Sequence, residues 1–133
     1  MIVGVGLDLV EIARVRRLLQ KGERAVRRLF TDGEASYAMA RPDPALHFAA
    51  RVAAKEAAFK ALAGSARARA IGWRELEVVN DWDGRPTVEL HGIAAERAAE
   101  LGVSRLWLTL SHSGGMAAAV VVLERAEDAA PPP

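Results

Sequence analysis

Glu56 sits between Lys55 and Lys60 in a stretch otherwise made of alanine, leucine, valine and phenylalanine. A segment that is apolar almost all round is a buried segment, so its charges need partners or a ligand. Asp8 poses the same problem, as a carboxylate inside the apolar run from Ile2 to Val10. The ordinary readings are an i,i+4 surface pair between Glu56 and Lys60, and an Asp8 that ends its strand or caps the next helix. The sharper reading joins them. Two carboxylates, with no cysteine and only three histidines in the chain, favour a hard cation such as Mg²⁺ held by oxygen ligands. Magnesium keeps several waters and binds through one or two carboxylates plus substrate phosphates, so acids beside lysines point to phosphoryl chemistry.

A second signal is charge. The totals look neutral, with 18 Lys+Arg against 17 Asp+Glu and a net charge of +1. By position they are not. Arg14, Arg16, Arg17, Lys21, Arg24, Arg27 and Arg28 crowd one stretch opposed only by Glu23. That pattern is a solvated helix face or a docking surface for an acidic partner, protein or nucleic acid. No aromatics interleave these residues, which argues against a single-strand stacking platform.

Other chemistries fail on spacing. Gly4-Val5-Gly6 would need its third glycine where Leu9 stands, so the dinucleotide fingerprint is absent, and no P-loop exists. Ser111-His112 is a poor hydrolytic dyad, because adjacent strand residues face opposite ways. A histidine beside Ser113-Gly114-Gly115 suits anion binding better. His47 and His91 read as structural residues.

The elements that must position these groups follow from periodicity and turn chemistry. Ile2 to Val10 reads as a strand buried on both faces. Ile12, Val15, Leu18 and Leu19 predict a helix stopped at Gly22. Thr31-Asp32-Gly33-Glu34 is a capping box opening a helix through about Met39. Asp43-Pro44 offers an N-cap and N1 proline for a helix to Ala63, about 30 Å long, with Gly64 just beyond it. Glu75–Asn80 and Pro86–Leu90 form a hairpin around Asp83-Gly84, a helix runs from Ile93 to Leu101, and Leu106–Ser111 and Met116–Leu123 are the last strands. The order predicts one α+β domain over residues 1–124, a mainly antiparallel sheet packed against a long central helix, and a disordered tail over 125–133.

Composition sets the frame. The longest aliphatic run, Met116–Leu123, is 8 residues, against about 20 for a membrane span. No basic segment precedes the first apolar stretch, so no signal peptide is expected and the chain reads as cytoplasmic. A mean hydropathy of +0.07 is high for so small a protein and points to an oligomer hiding apolar surface.

Three motifs together resemble the holo-acyl-carrier-protein synthase type of 4′-phosphopantetheinyl transferase. They are Gly4-Val5-Gly6-Leu7-Asp8-Leu9-Val10-Glu11-Ile12, then Ala50-Arg51-Val52-Ala53-Ala54-Lys55-Glu56-Ala57-Ala58-Phe59-Lys60-Ala61-Leu62, then Leu110-Ser111-His112-Ser113. The resemblance spans residues 1 to about 124. It implies a 4′-phosphopantetheinyl transferase-like fold and transfer of phosphopantetheine from coenzyme A to a serine of apo acyl carrier protein, releasing adenosine 3′,5′-bisphosphate, in fatty acid biosynthesis. It further implies that Asp8 and Glu56 bind Mg²⁺, that Glu56 and Lys60 are catalytic, and that Arg51, Lys60, Gly64, Ser111 and His112 bind coenzyme A. Arg14, Arg17, Lys21, Arg24 and Arg28 would dock the acidic carrier, and the enzyme would be a homotrimer with active sites between subunits. Either Glu56 or a metal-bound water would take the serine proton. The chain departs from the family pattern where Ala63-Gly64-Ser65 replaces Leu-Gly and where Val52 replaces a common phenylalanine. The rival reading is a non-enzymatic basic module that binds nucleic acid or an acidic protein through residues 14–28, leaving Asp8 and Glu56 without a role.

Overall fold

The computed structural model describes residues 1–127 and 132–133. The expected tail includes 128–131, which lie outside the described residues. The order is β1 (Ile2–Glu11), α1 (Ile12–Leu19), α2 (Glu23–Leu29), α3 (Asp32–Met39), α4 (Pro44–Leu62), α5 (Ala66–Arg69), β2 (Leu76–Asn80), β3 (Pro86–Leu90), α6 (Gly92–Leu101), β4 (Arg105–Ser113) and β5 (Met116–Glu124). All pairing is antiparallel: a three-stranded sheet in the order β1-β5-β4 and a β2-β3 hairpin. The α+β expectation holds. Among the described residues, no helix is long and apolar enough to cross a membrane.

The two glycines that failed as a nucleotide fingerprint set the depth of packing instead. A Cβ on Gly6 would stand 1.8 Å from the Ala57 carbonyl oxygen, and one on Gly4 2.2 Å from that of Ala61. The backbone of α4 therefore rests directly on β1. Two strand residues and four helical residues span similar lengths, about 7 and 6 Å, so alternate glycines meet successive turns. Alanines 53, 54, 57 and 58 of α4 are fully buried in consequence.

Three expectations need correction. β1 is buried on one face only: Gly6 and Val10 are turned inward, while Val5, Leu7 and Leu9 are 57–61% exposed. Helix α4 covers one side of the sheet, and no described element covers the other. The basic stretch, read as one helix face, is divided between two helices, because the chain breaks at the expected stop, Gly22, whose φ of +103° suits glycine alone. Asp43 precedes α4 as expected but gives it no side-chain cap; its carboxylate accepts two bonds from Arg16, at 3.1 and 3.3 Å.

The local signals that held are those with a defined geometry. In the capping box, the Thr31 hydroxyl accepts from the Glu34 amide at 3.2 Å, and the Thr31 amide donates to the Glu34 carboxylate at 2.9 Å. Gly114 and Gly115, with φ of +58° and +82°, close the β4-β5 hairpin in two residues.

Candidate active site

Strand β1 delivers Asp8 to the middle of α4, where Glu56 and Lys60 stand one turn apart. Lys60 does not pair with Glu56. Its Nζ donates to Asp8 Oδ1 at 3.0 Å and to the Leu7 carbonyl at 2.8 Å. Asp8 Oδ2 is buried without a partner. The Glu56 carboxyl lies within hydrogen-bonding reach of Asp8 and is pushed up to about 7, first by burial, then by that contact and by the Asp8 charge. Arg14 and Lys60 oppose the shift only in part. One lysine thus serves two acids. The orphaned oxygen and the like charges held together fit a hard divalent cation, which would accept both carboxylates.

A groove of about 460 Å³ opens from this pair. Glu56 lines it with Val52, Leu29 and Trp73, and Arg14, Arg17 and Lys21 give the same lining its positive charge. These three docking candidates therefore lie beside the carboxylates. Arg24 and Arg28 sit on α2, outside the groove. Arg16 and Arg27 are committed elsewhere, to Asp43 and to Glu23 at 3.3 Å.

The other lysine of the motif plays a different part. Lys55 is fully buried. Its ammonium meets Glu34 Oε1 at 2.8 Å and donates to the Trp73 and Leu76 carbonyls at 2.9 and 2.7 Å. The second Glu34 oxygen accepts from the Val78 amide at 2.8 Å. Burial pulls Lys55 down, with the Arg51 charge adding a little, and Glu34 opposes this. All three ammonium protons have acceptors.

At the N-terminal end of α4 the chain collects cations. Arg51, 4% exposed, places its guanidinium 4.2 Å from the Tyr37 ring centre, with Arg41 at 4.0 Å from the same ring. Arg51 Nε is buried without a partner, and its pKa is lowered chiefly by burial. The His47 ring is 6.0 Å from Tyr37. It is held below the usual range by burial, then by Arg51 and Arg41, with His112 adding to the repulsion. Tyr37 is lowered first by the Asn80 side chain and then by Arg41 and Arg51. Converging cations with a spare buried donor suit a phosphate.

Ser111 and His112 lie at the end of β4, opposite Ala118 and Ala117, so His112 joins this cluster while its neighbour faces the other side. Gly64 does not join. It follows the far end of α4, thirteen residues from Arg51 and so about 20 Å away along the helix, beside Arg97, which bonds the Leu62 and Ala63 carbonyls.

The chain's relatives establish its family. A family description, 4′-phosphopantetheinyl transferase superfamily, matches residues 4–121. The chain belongs to that superfamily. It is 48% identical to the holo-[acyl-carrier-protein] synthase of Anaeromyxobacter dehalogenans strain 2CP-1, over 93% of this chain and 97% of the relative. The holo-[acyl-carrier-protein] synthase of Neisseria meningitidis superposes with a TM-score of 0.81 at 30% identity, covering 94% of this chain and all of the other. The Chronobacterium ammoniagenes ACPS-CoA complex superposes with a TM-score of 0.79, also at 30% identity, over 93% of this chain and 98% of that one.

Within the superfamily's shared fold, three groups here escaped sequence reasoning. Arg41 carries no periodic signal, and Tyr37, the chain's one tyrosine, belongs with Phe30, Thr31 and Glu34 to the residues that resemble the family but showed no role. His47, read as structural, lies among cations rather than bonded into the core. His91 does pair with a carboxylate, Glu77 at 3.0 Å. Glu34, the buried counterion of Lys55, was legible only as a cap.

Proposed function

We propose that this chain transfers 4′-phosphopantetheine from coenzyme A to a serine of apo acyl carrier protein, in fatty acid biosynthesis. The observation that carries the reading is the Asp8–Glu56–Lys60 constellation at the head of a basic-rimmed groove, with a phosphate-binding cluster one and a half turns away along α4. The serine oxygen forms a bond to the phosphorus that carries pantetheine. The bond from that phosphorus to the bridging oxygen breaks, and adenosine 3′,5′-bisphosphate leaves with the electron pair.

Asp8 and Glu56 are the residues that would hold Mg²⁺, which supplies charge neutralisation on the pyrophosphate when bound. Lys60, anchored by Asp8 and the Leu7 carbonyl, presents its ammonium to phosphate oxygens as negative charge grows on the leaving group. Glu56 is the carboxylate placed to receive the serine proton. Arg51 and His112, with Arg41 and His47, bind the nucleotide phosphates, and the rim formed by Arg14, Arg17 and Lys21 receives the acidic carrier. Arg24 and Arg28 extend that rim along α2.

The uncovered sheet face supports a homotrimer. Val5, Val122 and Trp107 lie in register across three strands, as do Leu7, Val120 and Thr109, which leaves an apolar surface of the kind oligomers bury. Active sites shared between subunits would also give Gly64 a route to a neighbouring His112 cluster. Residues 1–124 are the working domain in this reading, and the enzyme is cytoplasmic.

The rival basic module leaves the Asp8–Glu56 pair without a purpose and has no observation in its favour. The test is incubation with apo carrier protein, coenzyme A and Mg²⁺, followed by mass spectrometry of the carrier. A mass gain of one phosphopantetheine is expected; an unmodified carrier across fatty-acid and polyketide types would reject the reading.

A further inference from the structure

Glu77, Glu89 and His91 stand on one face of the β2-β3 hairpin, and strand geometry puts them there. Glu77 and Glu89 are direct partners in the antiparallel register, and His91 follows Glu89 by two positions. Side chains two apart share a face, so all three project away from Leu76, Val78 and Val88, which are buried on the other. His91 Nε2 lies 3.0 Å from Glu77 Oε1 and 4.0 Å from Glu89 Oε2. One ligand atom from each side chain falls within 4.8 Å of the other two. No other group of three or more such side chains comes together among the described residues.

An ion pair between His91 and Glu77 accounts for only one of these acids. Like charges directly opposite on paired strands repel, and Glu89 sets a second carboxylate where a neutral residue would serve the hairpin as well. The first carboxylate is also held in place. Glu77 Oε2 accepts from the Thr31 hydroxyl at 2.6 Å, and that hydroxyl is fixed in turn by accepting from the Glu34 amide. A metal-binding carboxylate is characteristically oriented this way, by a hydrogen bond to its free oxygen. The His91 amide donates to the Glu75 carbonyl at 2.8 Å, which fixes the backbone that carries the imidazole. His91 precedes α6 without capping it through the side chain, so the helix makes no claim on the ring. Two carboxylates and one imidazole form a three-ligand set that leaves positions for water, and the nitrogen selects a late first-row cation over Mg²⁺. We infer that Glu77, Glu89 and His91 form a second cation site, for Zn²⁺ or a related divalent transition metal, built from other elements than the Asp8–Glu56 pair. The bound ion ties β2 to β3 and, through Glu77 and Thr31, to the start of α3. The inference does not depend on the transferase reading.

Co²⁺ is the probe, because its visible absorption reports ligation and Zn²⁺ displaces it. The titration is run in excess Mg²⁺ on wild type and on Asp8→Asn, whose oxygen-only pair is disabled. Both should bind Co²⁺ with equal affinity at this site, develop saturable visible absorption, and lose it when Zn²⁺ is added. Loss of the ion in Asp8→Asn would assign it to the carboxylate pair and overturn the inference. Adding His91→Gln or Glu89→Gln to Asp8→Asn should weaken Co²⁺ and Zn²⁺ by about tenfold or more in calorimetry. His91→Gln removes the imidazole but keeps a donor for Glu77, and Glu89 is an exposed side chain, so both variants should melt near their parent without metal. Zn²⁺ should then raise the melting temperature of the parent and not of either variant. Affinity unchanged in either variant overturns the inference, because the ion then lies elsewhere or needs fewer ligands. So does a wild type that binds neither Co²⁺ nor Zn²⁺, since His91 and Glu77 are then an ion pair and nothing more.

Discussion

Helix α4 carries two lysine–carboxylate arrangements five residues apart, and they are opposites. Lys55 and Glu34 form a closed pair: both are buried, every ammonium proton has an acceptor, and each Glu34 oxygen has a donor. Lys60, Asp8 and Glu56 form an open one, with two acids to one lysine, an orphaned oxygen on Asp8, and Glu56 pushed up to about 7. The lesson is that charge in an apolar helix is not a single signal. A satisfied buried pair holds the fold together, whereas an acidic surplus at a groove is, in the proposed reading, a place for a cation and a substrate phosphate.

The comparison can be broken from either side. The largest effect expected is on catalysis: Glu56→Gln should reduce transfer by about a hundredfold or more while leaving the unfolding midpoint near wild type, since it removes a charge the fold does not need. A loss of folding instead would make the open pair structural. Next comes Lys55→Met, which strands the Glu34 carboxylate and should destabilise the fold by about 3–5 kcal/mol in denaturant unfolding. Near-native stability in that variant would show that Glu34 finds another partner or a proton, and that the closed pair is dispensable.

The third prediction concerns pH. Glu56 binds its proton more tightly in the folded state than its ordinary value of 4.5. Its contribution to stability is then full below about 4.5 and is lost as pH rises through about 7. Metal-free protein should melt at progressively lower temperature across that window, and Glu56→Gln should flatten the slope. A slope identical in the two proteins would remove Glu56 as its cause. The smallest effect is at the rim. Reversing Arg17, Lys21 and Arg24 to Glu should raise the carrier KM by about three- to tenfold with the coenzyme A KM little changed, and added salt should weaken wild-type docking in the same direction. Equal changes in both constants would place those residues outside the carrier surface.

What could be read in advance followed the range of the interaction. The capping box at Thr31, the hairpins at Asp83-Gly84 and Gly114-Gly115, and the start of α4 at Pro44 are local, and each residue specifies its own geometry. Glu56 and Lys60 were legible because an apolar surround makes a charge conspicuous. The partner of Lys55 was not, because Glu34 is 21 positions away and only the packed fold brings it in. The Arg41–Tyr37–Arg51 cluster escaped for the same reason, its members coming from α3, the loop after it and α4. The open face of β1 was misread because Val5, Leu7 and Leu9 look like core residues from sequence. Apolar character states a need for burial without saying which molecule meets it. Spacing alone denied the two glycines a nucleotide, but what they do, which is to let the Ala57 and Ala61 carbonyls approach, shows only in the packed fold.

The most direct test is the cation dependence of carrier modification in wild type, Asp8→Asn and Glu56→Gln, with Mg²⁺ titrated after chelation and transfer followed by carrier mass. The open pair as a cation site requires wild-type transfer to disappear on chelation and return with Mg²⁺, and both variants to need far more Mg²⁺ or to stay inactive. Transfer that survives chelation, or an unchanged Mg²⁺ requirement in both variants, would contradict it.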